Sequence, residues 1–392
     1  MTHRMGSRNG YPIVDADTHV NEPPDLWEKH MPKMLRDRAP RLVNTDGRQA
    51  WIFGDRPLSI SRLINSAGVS PVEWTLLPEG GLRAMRAGAW DPAERLRDMD
   101  IDMVDVHVLY PTYAIVGSYV VRRDRELHNA VIRAYNDWIS DFCSHAPDRL
   151  AAVALTPLTG VEDAIAEVKR VRDKPGICAA ILYTWPNGAR HPVHDEDDRF
   201  WSVLEDLALP GLSHVGFNVG GEQVEAEHDA IKALTPSVAF IAQEKLAVDT
   251  IPVAAHLILD GVLERHPRLR WGFIESGIGW IPFFMEQADD NYYRHRFWTK
   301  TCLSMPPSEY VRRQCWATFQ IDRFGVRNRH EIGVENIMWS SDYPHAGANW
   351  PDSREKIANH MEGVPEGERR LILSENAIRF YGLEERVPGA HR

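Results

Sequence analysis

The chain has 392 residues, 43% of them hydrophobic and 26% charged, enough apolar material for two average domains or one large barrel. A net charge of −11 with no offsetting basic run excludes nucleic acid or an anionic membrane surface as the main partner, because either would reward a basic face. No apolar run approaches the roughly 20 residues that span a bilayer, the first ten residues hold no signal-peptide core, and Cys143, Cys178, Cys302 and Cys315 lack CxxC spacing, so a reduced, cytoplasmic protein is expected.

Short β-branched apolar runs alternate with helical patterns along the chain, the rhythm of a parallel barrel. The first strand, 12–15, leads into Asp15-Ala16-Asp17-Thr18-His19. Residues 21–90 are too long for a βα loop and contain Trp51-Ile52-Phe53-Gly54-Asp55-Arg56, which reads as a small hairpin. Asp91-Pro92-Ala93-Glu94 then supplies an N-cap, a proline at the first helical position and a capping-box glutamate. A strand over 104–110 follows, and Asp124 opens a long amphipathic helix that runs through Phe142. Further strands are predicted over 151–156, 179–184, 212–216, 271–275, 317–321 and 336–341. Asp249-Thr250-Ile251-Pro252 starts a helical segment over 254–265. The stretch 286–316 is aromatic and basic, and with 21–90 it is taken as an insertion that caps the barrel or makes subunit contacts. A last helix, 368–381, packs back on the barrel. Eight strands is the number a closed (β/α)₈ (TIM) barrel requires, so one domain over 1–392 is expected, with insertions after strand one and strand six.

In such a barrel the C-terminal strand ends share one face, and reactive residues placed there converge. Asp17 and His19 are two residues apart on an extended chain, so both side chains point to the same side. His214 lies in strand five, Glu275 ends strand six and Asp342 ends strand eight, three residues before His345. Taken singly, each has a bland reading: a turn, a cap or a buried strand histidine. Together they form a nitrogen and oxygen donor set for a divalent metal. Asp17, His19, His214, Asp342 and Glu275 are the candidate ligands, with Asp342 and Glu275 also the candidate acid/base groups. His345 and, less favoured, His256 are candidates for a second metal; His256 sits mid-helix in an apolar segment and has packing as its alternative. Tyr110, Trp185, Asn218 and Trp280 lie at or near strand ends and are candidate substrate walls, with core packing the alternative for the two tryptophans.

These residues sit in stretches that resemble the amidohydrolase-related family, in the branch that includes aminocarboxymuconate-semialdehyde decarboxylase. The matching stretches are Val14-Asp15-Ala16-Asp17-Thr18-His19 with Glu22-Pro23-Pro24-Asp25-Leu26-Trp27, 95–100 with Leu109-Tyr110-Pro111-Thr112, Asn136-Asp137-Trp138, 261–267, Glu275-Ser276-Gly277-Ile278-Gly279-Trp280-Ile281-Pro282, and 338–345 with Trp350-Pro351. The resemblance implies a barrel of the metal-dependent hydrolase type, a divalent ion and a small, often carboxylated or aromatic substrate. It carries the first-strand pair onto Asp17 and His19, the fifth-strand histidine onto His214 and the last-strand aspartate onto Asp342. Two departures stand out. The family's first-strand pair is often H-x-H, and its decarboxylases place a catalytic histidine after strand six, where this chain has Glu275.

Three carboxylates would bring three negative charges to a single divalent ion, which a dry pocket tolerates only with a proton or a second cation. One zinc, iron or manganese ion, or two, is therefore expected. The leading expectation is hydrolysis or non-oxidative decarboxylation of a small organic acid or aromatic compound. An oxygen-dependent dinuclear iron or iron–manganese monooxygenase on the same barrel is the second, motivated by the extra carboxylate. A metal-bearing, non-catalytic subunit of a hetero-oligomer is the third. A homo-oligomer is expected from the aromatic-rich stretch.

Overall fold

The computed structural model describes residues 10–45, 48–74, 78–188, 195–217 and 249–387. Eight parallel strands form the barrel sheet: β1 (Val14–His19), β5 (Val106–Tyr110), β6 (Leu150–Leu155), β7 (Ile177–Leu182), β8 (Gly211–His214), β9 (Trp271–Ile274), β10 (Cys315–Phe319) and β11 (Ile337–Trp339). Every strand expected from the sequence is present, with ends displaced by a few residues. Near-continuous burial along these strands fits a parallel sheet covered on both faces.

The sheet runs β1-β5-β6-β7-β8-β9-β10-β11, and its two outer strands meet without a ladder. Individual bonds join them instead. Asp342 N–H donates to the Asp17 carbonyl at 3.1 Å, and His19 N–H to the Tyr343 carbonyl at 2.6 Å. Ser341 N–H donates to Asp15 Oδ1 at 2.9 Å. The seam of the barrel therefore runs through the segment that carries three candidate ligands.

A bulge in β1 sets their direction. Asp15 registers with His107, but Thr18 and His19 register with Leu109 and Tyr110, so one extra residue is accommodated between Asp15 and Thr18. His107 and Tyr110 point to opposite faces of β5, so Asp15 and His19 do as well. Asp15 turns outward, where Arg95 bonds the His107 ring at 3.2 Å. Asp17 and His19 are left facing the barrel interior.

Between β1 and β5, the expected hairpin is a three-stranded antiparallel sheet, β2 (Arg41–Thr45), β3 (Arg48–Phe53) and β4 (Arg56–Ser59). Trp51 and Phe53 bury completely against Trp27 of the short helix Leu26–His30. The Phe53 ring also crosses so close to Gly117 that a Cβ there would lie 2.3 Å from it, which requires glycine at that position. Beyond this sheet, Ser66 and Ala67 N–H both donate to the Pro344 carbonyl, and Ala346 N–H to Leu63, which lays 61–68 across the strand-eight end of the mouth. The 286–316 stretch is formed by two helices, Ile281–Thr299 and Pro307–Gln314, that connect β9 to β10. Among the described residues, no helix is long and apolar enough to cross a membrane.

The caps at Asp91 and Asp124 form as the sequence suggests, whereas Asp249 makes no side-chain cap bond at the head of Thr250–Leu259 and Glu94 pairs with Arg97. Asp91 accepts from Ala93 and Glu94 N–H at the head of Pro92–Asp102, and Asp124 accepts from Leu127 N–H at the head of Arg125–Cys143. Within the latter helix, Leu127, Val131, Tyr135, Trp138 and Phe142 form the buried stripe. His128 on the same helix is fully buried. Its Nδ1–H donates to Ser118 O at 2.8 Å and its Nε2 accepts from Leu158 N–H at 2.9 Å, a pairing only the neutral ring can make. Burial pushes its pKa down to about 4. Because the folded value lies below the unfolded value of about 6.5, the unfolded chain binds the extra proton and stability falls as pH drops from about 6.5 to about 4. Urea unfolding at pH 7 and pH 4.5 should show that loss, and His128→Gln, which has no charge to gain, should lose measurably less stability over the same interval.

Candidate metal centre

Four strand ends deliver the donors. Asp17 and His19 come from β1, His214 from the end of β8, Glu275 from the residue after β9, and Asp342 from the loop after β11. One ligand atom from each of Asp17, His19, His214 and Glu275 lies within 4.8 Å of all the others, and so do those of His19, Glu275, Asp342 and His345. His214 Nε2 stands 3.0 Å from Glu275 Oε2 and 3.7 Å from Asp17 Oδ1. His19 Nε2 stands 3.6 Å from Asp17 Oδ1, 3.6 Å from Glu275 Oε2 and 3.5 Å from Asp342 Oδ1. Ligands about 2.0–2.2 Å from one ion lie roughly 2.9–3.6 Å apart at octahedral or tetrahedral angles, so this spacing suits a common centre.

Both carboxylate oxygens of Asp17, and Nε2 of His19, are buried without a hydrogen bond, while His214 Nε2 faces the Glu275 carboxylate at 3.0 Å. Leaving several such groups unsatisfied costs about 1–3 kcal/mol each, a debt that a divalent cation among them removes. The remaining ring nitrogens are committed. His19 Nδ1–H donates to the Pro111 carbonyl at 3.1 Å and His214 Nδ1–H to Val215 O at 3.2 Å, which turns each Nε2 lone pair inward. Burial, reinforced by nearby His345, holds the His19 imidazole below its ordinary pKa, in the neutral form that ligates a metal. For His214, burial opposes charge, yet the facing carboxylates of Glu275 and Asp17 hold it well above the usual value. A cation arriving there must displace a proton.

The carboxylates after β9 and β11 share a backbone feature. Glu275 and Asp342 are both left-handed, at φ +57° and +60°. Non-glycine residues adopt that region at a cost of about 1–3 kcal/mol, borne where surrounding bonds fix it. Here Glu275 N–H donates to Thr318 Oγ1 at 2.8 Å, and Asp342 N–H joins the β1 seam. Asp322 holds the turn after Glu275 by accepting from Ile278 and Gly279 N–H at 2.8 and 2.6 Å.

Several supporting residues escaped the sequence reading. The buried Arg95 guanidinium donates to the carbonyls of His19 and Gly88 and lies 4.5 Å over the Tyr343 ring, clamping both sides of the seam. Glu22 accepts from the N–H groups of Thr112, Tyr113 and Ala114, fixing the loop after β5. Thr112 Oγ1 in turn lies 3.4 Å from His345 Nε2. Arg95, Glu22 and Thr112 all stand in stretches that resemble the family, which was the one available signal.

The other candidates are dispersed. His345 reaches the centre: its Nδ1 is 3.2 Å from Asp342 Oδ1, and its ring stacks on His19 at 3.9 Å. His256 does not; it sits in the helix Thr250–Leu259, with Nδ1 2.8 Å from Asp260 and its ring against Trp185. The Tyr110 ring lies 5.7 Å from His214 and 6.0 Å from His19, while its hydroxyl bonds Tyr381 at 2.6 Å, away from the donors. Trp185 is fully buried among Trp201 and Phe217. Trp280 is partly exposed beside Phe273 and Phe284. Asn218 lies outside the described residues.

The family model described as Amidohydrolase matches residues 14–383. The chain belongs to the amidohydrolase family. Among curated relatives, the gamma-resorcylate decarboxylase of Rhodococcus jostii is 23% identical over 324 residues, covering 75% of this chain and 91% of that protein. A solved amidohydrolase from Mycobacterium avium subsp. paratuberculosis superposes with a TM-score of 0.77 at 21% identity, covering 95% of this chain and 99% of that one. The 5-carboxyvanillate decarboxylase of Novosphingobium aromaticivorans, solved with bound manganese, gives a TM-score of 0.67 at 14% identity, covering 97% and 99%. These decarboxylases accord with the lytic expectation rather than with an oxygenase or a non-catalytic subunit.

Adding Mn²⁺ to protein stripped with chelator should raise the thermal midpoint and release protons, read by calorimetry in two buffers of different ionisation enthalpy. Asp17→Asn and His214→Ala should each abolish the midpoint shift; a full shift in either variant would remove that residue from the ligand set.

Proposed function

We propose that the chain is a divalent-metal-dependent decarboxylase of a small aromatic carboxylic acid, with a manganese-type ion held by Asp17, His19, His214 and Glu275. The observation that carries this reading is the convergence of those four side chains, several of their buried atoms lacking any other partner, beside the Asp342–His345 pair. Oxygen-rich ligation suits manganese or iron as readily as zinc. When bound, the ion would supply positive charge that orients the substrate carboxylate and a neighbouring ring oxygen.

The remaining work falls to the chain's own groups. In decarboxylation the bond from ring carbon to carboxylate breaks, carbon dioxide leaves, and the ring carbon keeps the electron pair and must take a proton. Asp342 and His345 are placed to move that proton, with Nδ1 of the ring 3.2 Å from Oδ1 and Thr112 behind Nε2. One ion plus one proton also balances the three carboxylates. The Tyr110 ring, 5.7 Å from His214 and 6.0 Å from His19, would line the substrate pocket. The absence of any disulfide among the four cysteines suits a cytoplasmic enzyme.

A second reading places another ion between Glu275, Asp342 and His345, favoured by the overlap of the two donor sets at Glu275. His19 Nδ1 is committed to the Pro111 carbonyl, so a second ion would be held by Glu275, Asp342 and His345. Elemental analysis separates the two: about one equivalent per chain supports the decarboxylase reading, and two support the dinuclear one.

A panel of hydroxybenzoates incubated anaerobically with Mn²⁺-loaded enzyme in D₂O should release carbon dioxide and leave one deuterium on the ring. His345→Gln should lower kcat by on the order of 10²- to 10⁴-fold while retaining metal content. Product formation that requires oxygen, or that leaves the carboxylate in place, would defeat the proposal.

A further inference from the structure

A cavity of about 330 Å³ opens between residues 62–69, residues 84–88 and the first turns of the helix Pro92–Asp102. That volume lies at the lower end of the range for small-molecule sites. No side chain of the metal centre lines it. Its charged lining is Arg62, Arg86, Glu94 and Asp98. Both carboxylates are committed: Asp98 accepts from Arg86 Nη1 at 3.0 Å and from the Tyr343 hydroxyl at 2.5 Å, and Glu94 pairs with Arg97.

Arg86 retains a donor. Its Nε reaches the Ala67 carbonyl at 3.4 Å, while Nη2 lies on the Gly68 side and has no partner among the described residues. The guanidinium carbon sits 3.9 Å over the Trp350 ring, so that donor is presented in a fixed direction. Asn65 supplies the opposite polarity. It is 2% exposed, its Nδ2–H donates to the Arg86 carbonyl at 3.1 Å, and its Oδ1 has no hydrogen bond. Exchanging oxygen and nitrogen would set oxygen against that carbonyl, so the orientation is fixed. A buried amide oxygen left unsatisfied calls for a donor the chain does not provide. Asn65 lies beside the Arg86 backbone, whereas the guanidinium reaches away to Trp350, so a ring can stand between the two groups.

We propose that this cavity is a second small-molecule site, which takes a hydroxylated organic acid with its carboxylate on Arg86 Nη2 and its hydroxyl donated to Asn65 Oδ1. The same walls fix the chain after β11. Ser66 and Ala67 N–H donate to the Pro344 carbonyl, Ala346 N–H donates to Leu63 O, and the Tyr343 hydroxyl donates to Asp98. An occupant therefore steadies the segment that carries His345. The site shares no side chain with the metal centre, so the proposal stands apart from the enzymatic reading.

The probe is trans-4-hydroxycyclohexanecarboxylate, a saturated acid whose hydroxyl is too far from its carboxylate to chelate an ion. Calorimetric titration into Mn²⁺-loaded protein should give a Kd on the order of 1 mM or tighter. Arg86→Gln with unchanged circular dichroism should bind the probe about tenfold more weakly or worse, and so should wild type offered cyclohexanecarboxylate, which lacks the hydroxyl. Asp17→Asn should bind the probe as wild type does. On saturation, amide hydrogen exchange at Asp342, His345 and Ala346 should slow by about threefold or more in wild type and not in Arg86→Gln. Absence of binding, equal affinity for cyclohexanecarboxylate, or full affinity in Arg86→Gln would each overturn the proposal. Loss of binding in Asp17→Asn would assign the probe to the metal centre and overturn it equally, and unchanged exchange would overturn the link to His345.

Discussion

The seam between β1 and β11 is the constraint on which the rest depends. A parallel barrel must join its first and last strands, and here the joint consists of separate bonds made by Asp15, Asp17, His19 and the segment after β11. The groups that close the barrel are thus neighbours in sequence of the groups that gather a metal. Closure and site assembly are one event, since Asp342 cannot reach His19 unless its own N–H has met the Asp17 carbonyl.

Around that seam the protein concentrates groups that are costly to bury. Asp15, Arg95 and His107 lie on the outer side of β1, and Asp17, His19 and Asp342 on the inner side, all nearly inaccessible to solvent. Burial raises the Asp15 carboxyl well above its ordinary pKa, despite bonds from Ser341 that favour its charged form. On the outer side Arg95 bonds the His107 ring and Asp15 accepts from Ser341 N–H, while Asp15 Oδ2 and His107 Nε2 face each other at 3.9 Å. On the inner side both Asp17 oxygens and His19 Nε2 are buried without a hydrogen bond, and the neighbouring Glu275 and Asp342 sit on left-handed backbone. Unsatisfied polar atoms beside strained backbone mark a place selected for binding rather than for stability.

The departure at Glu275 gains its meaning from this arrangement. A histidine after β9 would leave the centre with fewer negative charges, whereas Glu275 stands 3.0 Å from His214 Nε2 and 3.6 Å from His19 Nε2 and makes the donor set richer in oxygen. His345 lies next to Asp342, its Nδ1 3.2 Å from Oδ1, on the far side of the donor cluster from His214.

The eight strands, the caps at Asp91 and Asp124, and the grouping of Asp17, His19, His214, Glu275 and Asp342 were legible from residue order, because each depends on local periodicity or on the rule that parallel strand ends share a face. Local pattern could not separate Asp15 from Asp17, since the bulge that turns them apart follows from register with β5. Local pattern did rank His345 above His256, which it placed mid-helix in an apolar segment, but only the path of the chain after β11 stacks the first on His19 while the helix after Asp249 carries the second to Trp185. Trp185 and Tyr110 were visible as strand-end aromatics, but their orientation is set by neighbours that are remote in sequence. Order along the chain determined which chemistry could assemble; strand register and closure of the barrel decided which side chains face it.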